Sequence, residues 1–449
     1  MTQSLEPGFS YSQAALRELV ENVLAEAKRQ GASSCDVDVS EGVGQSVSVR
    51  LGEVETIEYN RDKGVGVTLY VGQRKGHAST SDFSPAALAQ TVGAALAIAR
   101  YTAEDEAAGL ADADQMASVF PELDLYHPWD LPVETAIDLA RRCEDAARSV
   151  DGRISNSEGA TVSSHVGQSI YGNSHGFIGL NVSSRHSISC AVIAQEGEAM
   201  QRDHWYSVAR AAADLEAAEQ VGRTAGERGI ARLGARRIKT GDYPVLYDPS
   251  LAAGLIGHLV SAVSGGSLYR KASFLLDSLG QQVFSPIVQI SEDPFLARGL
   301  ASSSYDAEGV ACRQRELVSD GVLNGWFLGS YSARKLGMKS TGNAGGNHNL
   351  IVAPTAGGFA DMLKRLDTGL YVTELLGQGI NGITGDYSRG AAGFWVENGR
   401  IVHPVEEITI AGNLKEMFRA IVAIGSDREM RGSKRVGSIL VENMMVAGE

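Results

Sequence analysis

The sequence predicts an α+β protein: an amino-terminal helix and antiparallel-sheet domain over residues 1–235, then a glycine-rich, curved-sheet or barrel-like domain over 236–449. Three observations predict it. The first half reads helix, strands, helix, helix, strands, helix, whereas a doubly wound parallel sheet alternates strand with helix. In the second half glycines are dense and strands short, as in GLASSSYDAEGV and LVSDGVLNGWFLGS, a composition suited to strong curvature. Between them GARRIKTG, residues 234–241, is basic and helix-breaking and marks a boundary. A chain of 449 residues exceeds what one core usually serves, so two domains are expected.

The elements follow in order. Leu16, Leu19, Val20, Val23, Leu24 and Ala27 recur at helical spacing and Gly31 supplies a stop, which predicts a helix from Ser12 to Gln30. Alternation at Cys35, Val37 and Val39, again at Val47, Val49 and Leu51, and again from Val65 to Val71 predicts three antiparallel strands. Ser84 before Pro85 is an N-cap with proline at the first helical position, and Leu88, Val92, Leu96 and Ala99 form that helix's apolar face. A third helix runs from Pro132 to Val150. Strands with a hairpin at Gly172-Asn173 fill 154–208, and a helical stretch covers 212–232. The second half opens with a strand at 245–247 and a helix at 250–264.

Composition narrows the function. The net charge of −14 disfavours a general phosphate-binding surface, so neither nucleic acid nor an anionic membrane is expected as a partner. The start, MTQSLEPGFSYSQ, lacks the basic and apolar regions of a signal peptide, and there is no uninterrupted apolar run of about 18 residues, so a cytoplasmic location is expected. Cys35, Cys143, Cys190 and Cys312 form no CxxC pair and read as buried reduced thiols.

Candidate chemistry is sparse. No GxSxG, GxxxxGK[ST] or HExxH sequence is present. His165, His175 and His186 sit at wide intervals among strands, where two could face each other across the Gly172-Asn173 turn, but no carboxylate or cysteine lies at ligand spacing, and hydrogen-bonded histidines are the expected outcome. His348 in GNAGGNHN lies in a glycine and asparagine loop that could hold an anion or a substrate backbone on its amides. In GITGDYSRGAAGFWVEN, Asp386, Tyr387, Ser388 and Arg389 stand between glycines, a composition that suits either a ligand-orienting loop or a charged turn between strands.

Longer segments carry a resemblance. GLIGHLVSAVSGGSLYRKASFLLDSLG (254–280), STGNAGGNHN (340–349), TGDYSRGAAGFWVENG (384–399), EITIAGNLKEMF (407–418) and, in the first half, GEVETIEYNRDKGVGVTLYVGQRKGHASTSDFSP resemble the TldD/PmbA metallopeptidase family. The resemblance spans nearly the whole chain. It implies a cytoplasmic peptidase built from two related subunits, one of which binds zinc through HExxxH and a cysteine near the carboxyl terminus. Counting back from the shared Arg270-Lys271, the motif's histidine, glutamate and second histidine fall on Gly257, His258 and Ala262, and no cysteine follows Cys312. Catalytic zinc takes about three protein ligands, and glycine and alanine offer none. The departures match PmbA-type (TldE-type) chains, the subunits without the metal site.

The resulting expectation is a chain with no catalytic residue, metal or cofactor of its own, which pairs with a TldD-type subunit that supplies zinc and acts on unfolded or leader peptides. Tyr269, Arg270, Asn343, His348, Asp386 and Arg389 are the candidates for touching substrate or partner. A peptide-binding or scaffold homodimer of the same fold is the alternative, and a hydrolase using Ser261 or Ser267 is a third reading.

Overall fold

The computed structural model describes residues 8–449; the signal-peptide comparison made above falls in part on residues outside them. The first half is α1 (Gln13–Arg29), β1 (Ser34–Arg50), β2 (Glu53–Val71), β3 (Arg74–Thr80), α2 (Pro85–Tyr101), α3 (Val133–Arg148), β4 (Asn156–Asn173), β5 (Ile178–Glu196), β6 (Ala199–Ala209) and α4 (Ala218–Ala231). The strands form one antiparallel sheet in the order β3-β2-β1-β4-β5-β6. Ser12 and Ser84 cap α1 and α2, accepting hydrogen bonds from the amides of Ala15 and Ala87.

The odd-numbered valines of β1 all point to one face. There Val37 and Val39, with Val65 and Val67 of β2, pack beneath α1 and α2, while Val47, Val49 and Val162 pack beneath α3 and α4. Each such valine, fully withdrawn from water, contributes roughly 1.5–3 kcal/mol. The α3–α4 crossing is close enough that a Cβ on Gly222 would sit 1.8 Å from the Cys143 carbonyl oxygen, so only glycine fits.

Three expectations change here. The runs at 35–39 and 47–51 belong to a single strand, because the polar and small residues between them continue the alternation on a sheet with one open face. The hairpin turns at Ser174–Phe177 instead of Gly172-Asn173: Gly172 is still paired within β4, and a Cβ there would meet Val20 at 2.4 Å. The stretch 212–232 divides into a 3-10 turn, Ala212–Asp214, and α4.

The second half contains β7 (Gly241–Tyr247), α5 (Pro249–Ala262), α6 (Gly265–Tyr269), β8 (Ile290–Asp293), β9 (Arg315–Ser319), β10 (Val322–Leu323), α7 (Ser330–Lys335), β11 (Asn349–Val352), α8 (Phe359–Leu366), β12 (Gly369–Leu376), β13 (Asp386–Glu397), β14 (Arg400–Asn413), α9 (Leu414–Arg419), β15 (Ile421–Ile424), β16 (Lys434–Arg435) and β17 (Ile439–Ala447). β7, β12, β13, β14 and β17 pair in that order, and β17 returns to β7, closing a five-stranded barrel. The barrel-like expectation is thereby met. A smaller sheet, β10-β9-β8-β11-β16, lies beside it, and one large core joins the two through α5. Among the described residues no helix is long and apolar enough to cross a membrane.

Candidate functional site

The helix α5 carries the degenerate motif, and its sequence explains its placement. Asp248 caps it, accepting from the Ser250 amide at 3.0 Å and from the Tyr371 hydroxyl at 2.7 Å, and Pro249 starts the first turn. Ala252, Leu255, Ile256, Leu259 and Ala262 turn into the core. Gly254, Gly257, His258 and Ser261 remain on the outer side, fully or partly exposed.

Around that outer side β13 and β16 supply the neighbours. The His258 ring meets Tyr387 edge-on at 6.0 Å between centroids. Burial, then the charge of Arg389, hold its imidazole below the ordinary value, so it is neutral at neutral pH. Lys434 passes beside Gly257, where a Cβ would lie 3.7 Å from Lys434 Cε. Half-buried and without a hydrogen-bond or ion-pair partner among the described residues, Lys434 has its ammonium pushed below the usual lysine range by burial. Among the described residues Arg389 donates to the Leu376 carbonyl alone, at 3.2 Å.

Gly257, His258 and Arg389 therefore come together, with Asp386 three residues from Arg389 on the same strand. Asp386 is occupied in its own turn, accepting from Thr384 at 2.6 Å and Asn413 at 3.1 Å, hydrogen bonds that hold its carboxyl below the usual range. Ala262 is buried and lies apart from the outer side. Tyr269 and Arg270 form a separate ridge: Arg270 lies over the Tyr269 ring at 5.3 Å, and Tyr269 packs edge-on against Tyr331. Tyr331 and Lys335 bind Asp105 of the first half at 2.6 and 2.7 Å, beside a cavity of about 780 Å³ between the two halves.

Asn343 and His348 point inward. The amide of His348 and Nδ2 of Asn343 both donate to Glu292 Oε1, at 2.7 and 2.9 Å, and Arg315 closes the pair on Oε2 at 2.7 Å. The amide of Ala344 donates to Asp306 at 2.9 Å. The loop does hold anions on its amides, but they are the chain's own carboxylates. Gly342, with φ +73 and a Cβ position 2.6 Å from the Ala311 carbonyl oxygen, allows the loop to fold this tightly.

The other histidines do not converge. Ser164 faces His186 and His165 faces Arg185 across the β4–β5 pair, which puts the two imidazoles on opposite faces of the sheet. His186 is buried against the His127 carbonyl at 2.8 Å. Among the described residues no three His, Cys, Asp or Glu side chains gather as a metal site, and neither Ser261 nor Ser267 is hydrogen-bonded to a histidine. With Gly257 and Ala262 lacking donor atoms, the α5 residues do not fit zinc. Sequence reading missed Lys434, which nothing in its local sequence marks, and Glu292, whose only signal is an acid in the apolar register set by Ile290.

Residues 35–99, 126–233 and 240–448 match, in order, domain 1, the central domain and the C-terminal domain of the PmbA/TldA metallopeptidases. The chain is 51% identical over 426 residues to the metalloprotease PmbA of Escherichia coli O157:H7, covering 95% of this chain and 94% of that one. A crystal structure from Bacteroides thetaiotaomicron, 27% identical, superposes with a TM-score of 0.93 over 98% of this chain and 100% of that one. The structure of TldE from Thermococcus kodakarensis, 19% identical, shares the fold with a TM-score of 0.85 over 96% of this chain and 100% of that one.

Proposed function

The chain belongs to the PmbA/TldD metallopeptidase family, and from that premise we propose that it is the PmbA-type subunit of a cytoplasmic two-subunit peptidase, whose zinc and water-activating glutamate come from a TldD-type partner. The observation that carries this reading is the make-up of α5. A metallopeptidase needs about three metal ligands there and a carboxylate to take a proton from water. This chain has Gly257 and Ala262 at the ligand positions and a neutral His258 in place of the carboxylate.

Its own contribution is then to hold substrate. The substrate is an extended, unstructured peptide. The unpaired Lys434 and the half-exposed Arg389 flank consecutive positions on α5 and offer cationic donors to peptide carbonyl or carboxylate oxygens. Cleavage of an unstructured peptide by this chain alone, by a TldD-type subunit and by the mixture tests the reading. The expected result is no cleavage by this chain and chelator-sensitive cleavage by the mixture. Chelator-resistant cleavage by this chain alone overturns it.

A further inference from the structure

We infer that the cavity between the two halves, beside Tyr70 and Glu308, is a binding site for an organic cation that carries a primary ammonium group. The cavity holds about 780 Å³, room for a short aliphatic diamine or for the amino end of a peptide. One such group is already bound there from within the chain: Lys335 Nζ lies 2.7 Å from Asp105 Oδ1 and 5.3 Å from the centre of the Tyr331 ring, and the Tyr331 hydroxyl donates to Asp105 Oδ2 at 2.6 Å. A carboxylate and a tyrosine holding one ammonium are thus chemistry that this cavity already uses. Glu308 and Tyr70 line the same cavity as a second carboxylate and tyrosine, and among the described residues no ammonium or guanidinium is paired with them.

The second pair is firmly built. Asp306 Oδ1 accepts from the amides of Glu308 and Val310, at 2.9 and 3.0 Å, and Gly309, at φ +80, turns the chain back. Glu308 Oε2 accepts from the Ser330 amide at 2.7 Å, while Oε1 has no hydrogen-bond partner among the described residues. Tyr70, near the end of β2, is only 5% exposed, yet its hydroxyl meets no hydrogen-bonding group among the described residues. A buried hydroxyl left unpaired is costly, and a ligand that hydrogen-bonds it recovers that cost. Burial, then the charges of Asp36 and Glu308, push this hydroxyl above its ordinary range, so both carboxylates act on it. In and beside the cavity the carboxylates of Asp36, Glu106 and Glu308 have no ion-pair partner among the described residues, against one unpaired cation, the exposed Lys75 opposite Tyr70 on β3. That excess of negative charge favours a cation, and an ammonium can donate to Glu308 Oε1 and to the Tyr70 hydroxyl at once. The inference does not rest on the peptidase reading, since a diamine needs no partner subunit.

Calorimetric titration of the full chain with 1,4-diaminobutane, and separately with an unstructured, lysine-free peptide whose amino end is free or acetylated, tests it. Saturable binding of at least one free amine is expected at or below about 1 mM. Glu308→Gln, which keeps an oxygen for the Ser330 amide but removes the charge, should weaken it at least about tenfold. Tyr70→Phe should weaken it about three- to tenfold while leaving the unfolding temperature unchanged. Lys75→Met, which removes a competing cation, should tighten it. Binding of the diamine alone assigns the site to free amines, and peptide binding that acetylation abolishes assigns it to peptide amino ends; both uphold the ammonium. No saturable binding of either amine, binding that Glu308→Gln and Tyr70→Phe both leave unchanged, or peptide binding indifferent to acetylation with none of the diamine overturns the inference.

Discussion

Two glycine-rich polar segments of the second half, the loop at 340–349 and the start of β13 with the helix α5 it faces, differ in what their polar groups meet. In the loop, Asn343, His348 and the Ala344 amide are spent on Glu292 and Asp306. At α5, among the described residues, Lys434 has no hydrogen-bond or ion-pair partner and Arg389 only one carbonyl. A closed polar network fixes one packing and is costly to break, whereas open donors leave stability largely untouched and are available to a ligand. Glycine and asparagine content alone does not separate the two cases, nor does an acid as such, since Asp386 at the start of β13 is taken up by Thr384 and Asn413; what separates them is whether a carboxylate meets the free donors, as Glu292 does in the loop.

The largest expected effect is at the closed network. Glu292→Ala should lower the unfolding free energy by about 3–5 kcal/mol in denaturant titrations, because it leaves the Arg315 guanidinium without its buried counter-charge. A loss below about 1 kcal/mol would mean the network is not closed in solution.

Next is the pH dependence. Burial raises the Asp306 carboxyl to about 6, above its unfolded value. The folded state therefore takes up the proton more readily, so this contribution to stability is fully present below about pH 4 and is lost as pH rises through about 6. Asp36 is shifted to about 6 by burial in the same direction. The difference in unfolding free energy between wild type and Asp306→Asn should therefore change by on the order of 2 kcal/mol between pH 4 and 7. A flat difference would remove Asp306 from the account.

The smallest effect on stability is expected at the open site. Arg389→Ala and Lys434→Ala should each leave the unfolding free energy within about 1 kcal/mol. In the mixed peptidase each should raise KM for an unstructured peptide by about tenfold, the loss typical of one charged hydrogen bond. If stability falls while KM holds, the comparison is reversed and these side chains are structural.

Much of the fold was legible because it is written in local periodicity. The caps Ser12 and Ser84 and the alternating valines of β1 and β2 stand where the pattern places them. What was illegible depends on distant residues. Closure of the barrel rests on β14 meeting β17 through residues more than 30 apart in sequence, such as Thr409 and Ala447, with no local sign in either strand. Gly172 resembles a turn residue but is a glycine because Val20 of α1 packs on it. The site divides in the same way. Gly257, His258 and Arg389 come together as residues of one region, while Asn343 and His348 are drawn inward by Glu292, some 50 residues earlier in the chain.

The central claim, that α5 carries no competent metal centre, is tested most directly by metal analysis of the chain purified without chelator. The account predicts no stoichiometric zinc and an unfolding curve that a strong chelator does not shift. A reproducible one zinc per chain, lost to the chelator together with stability, would contradict it.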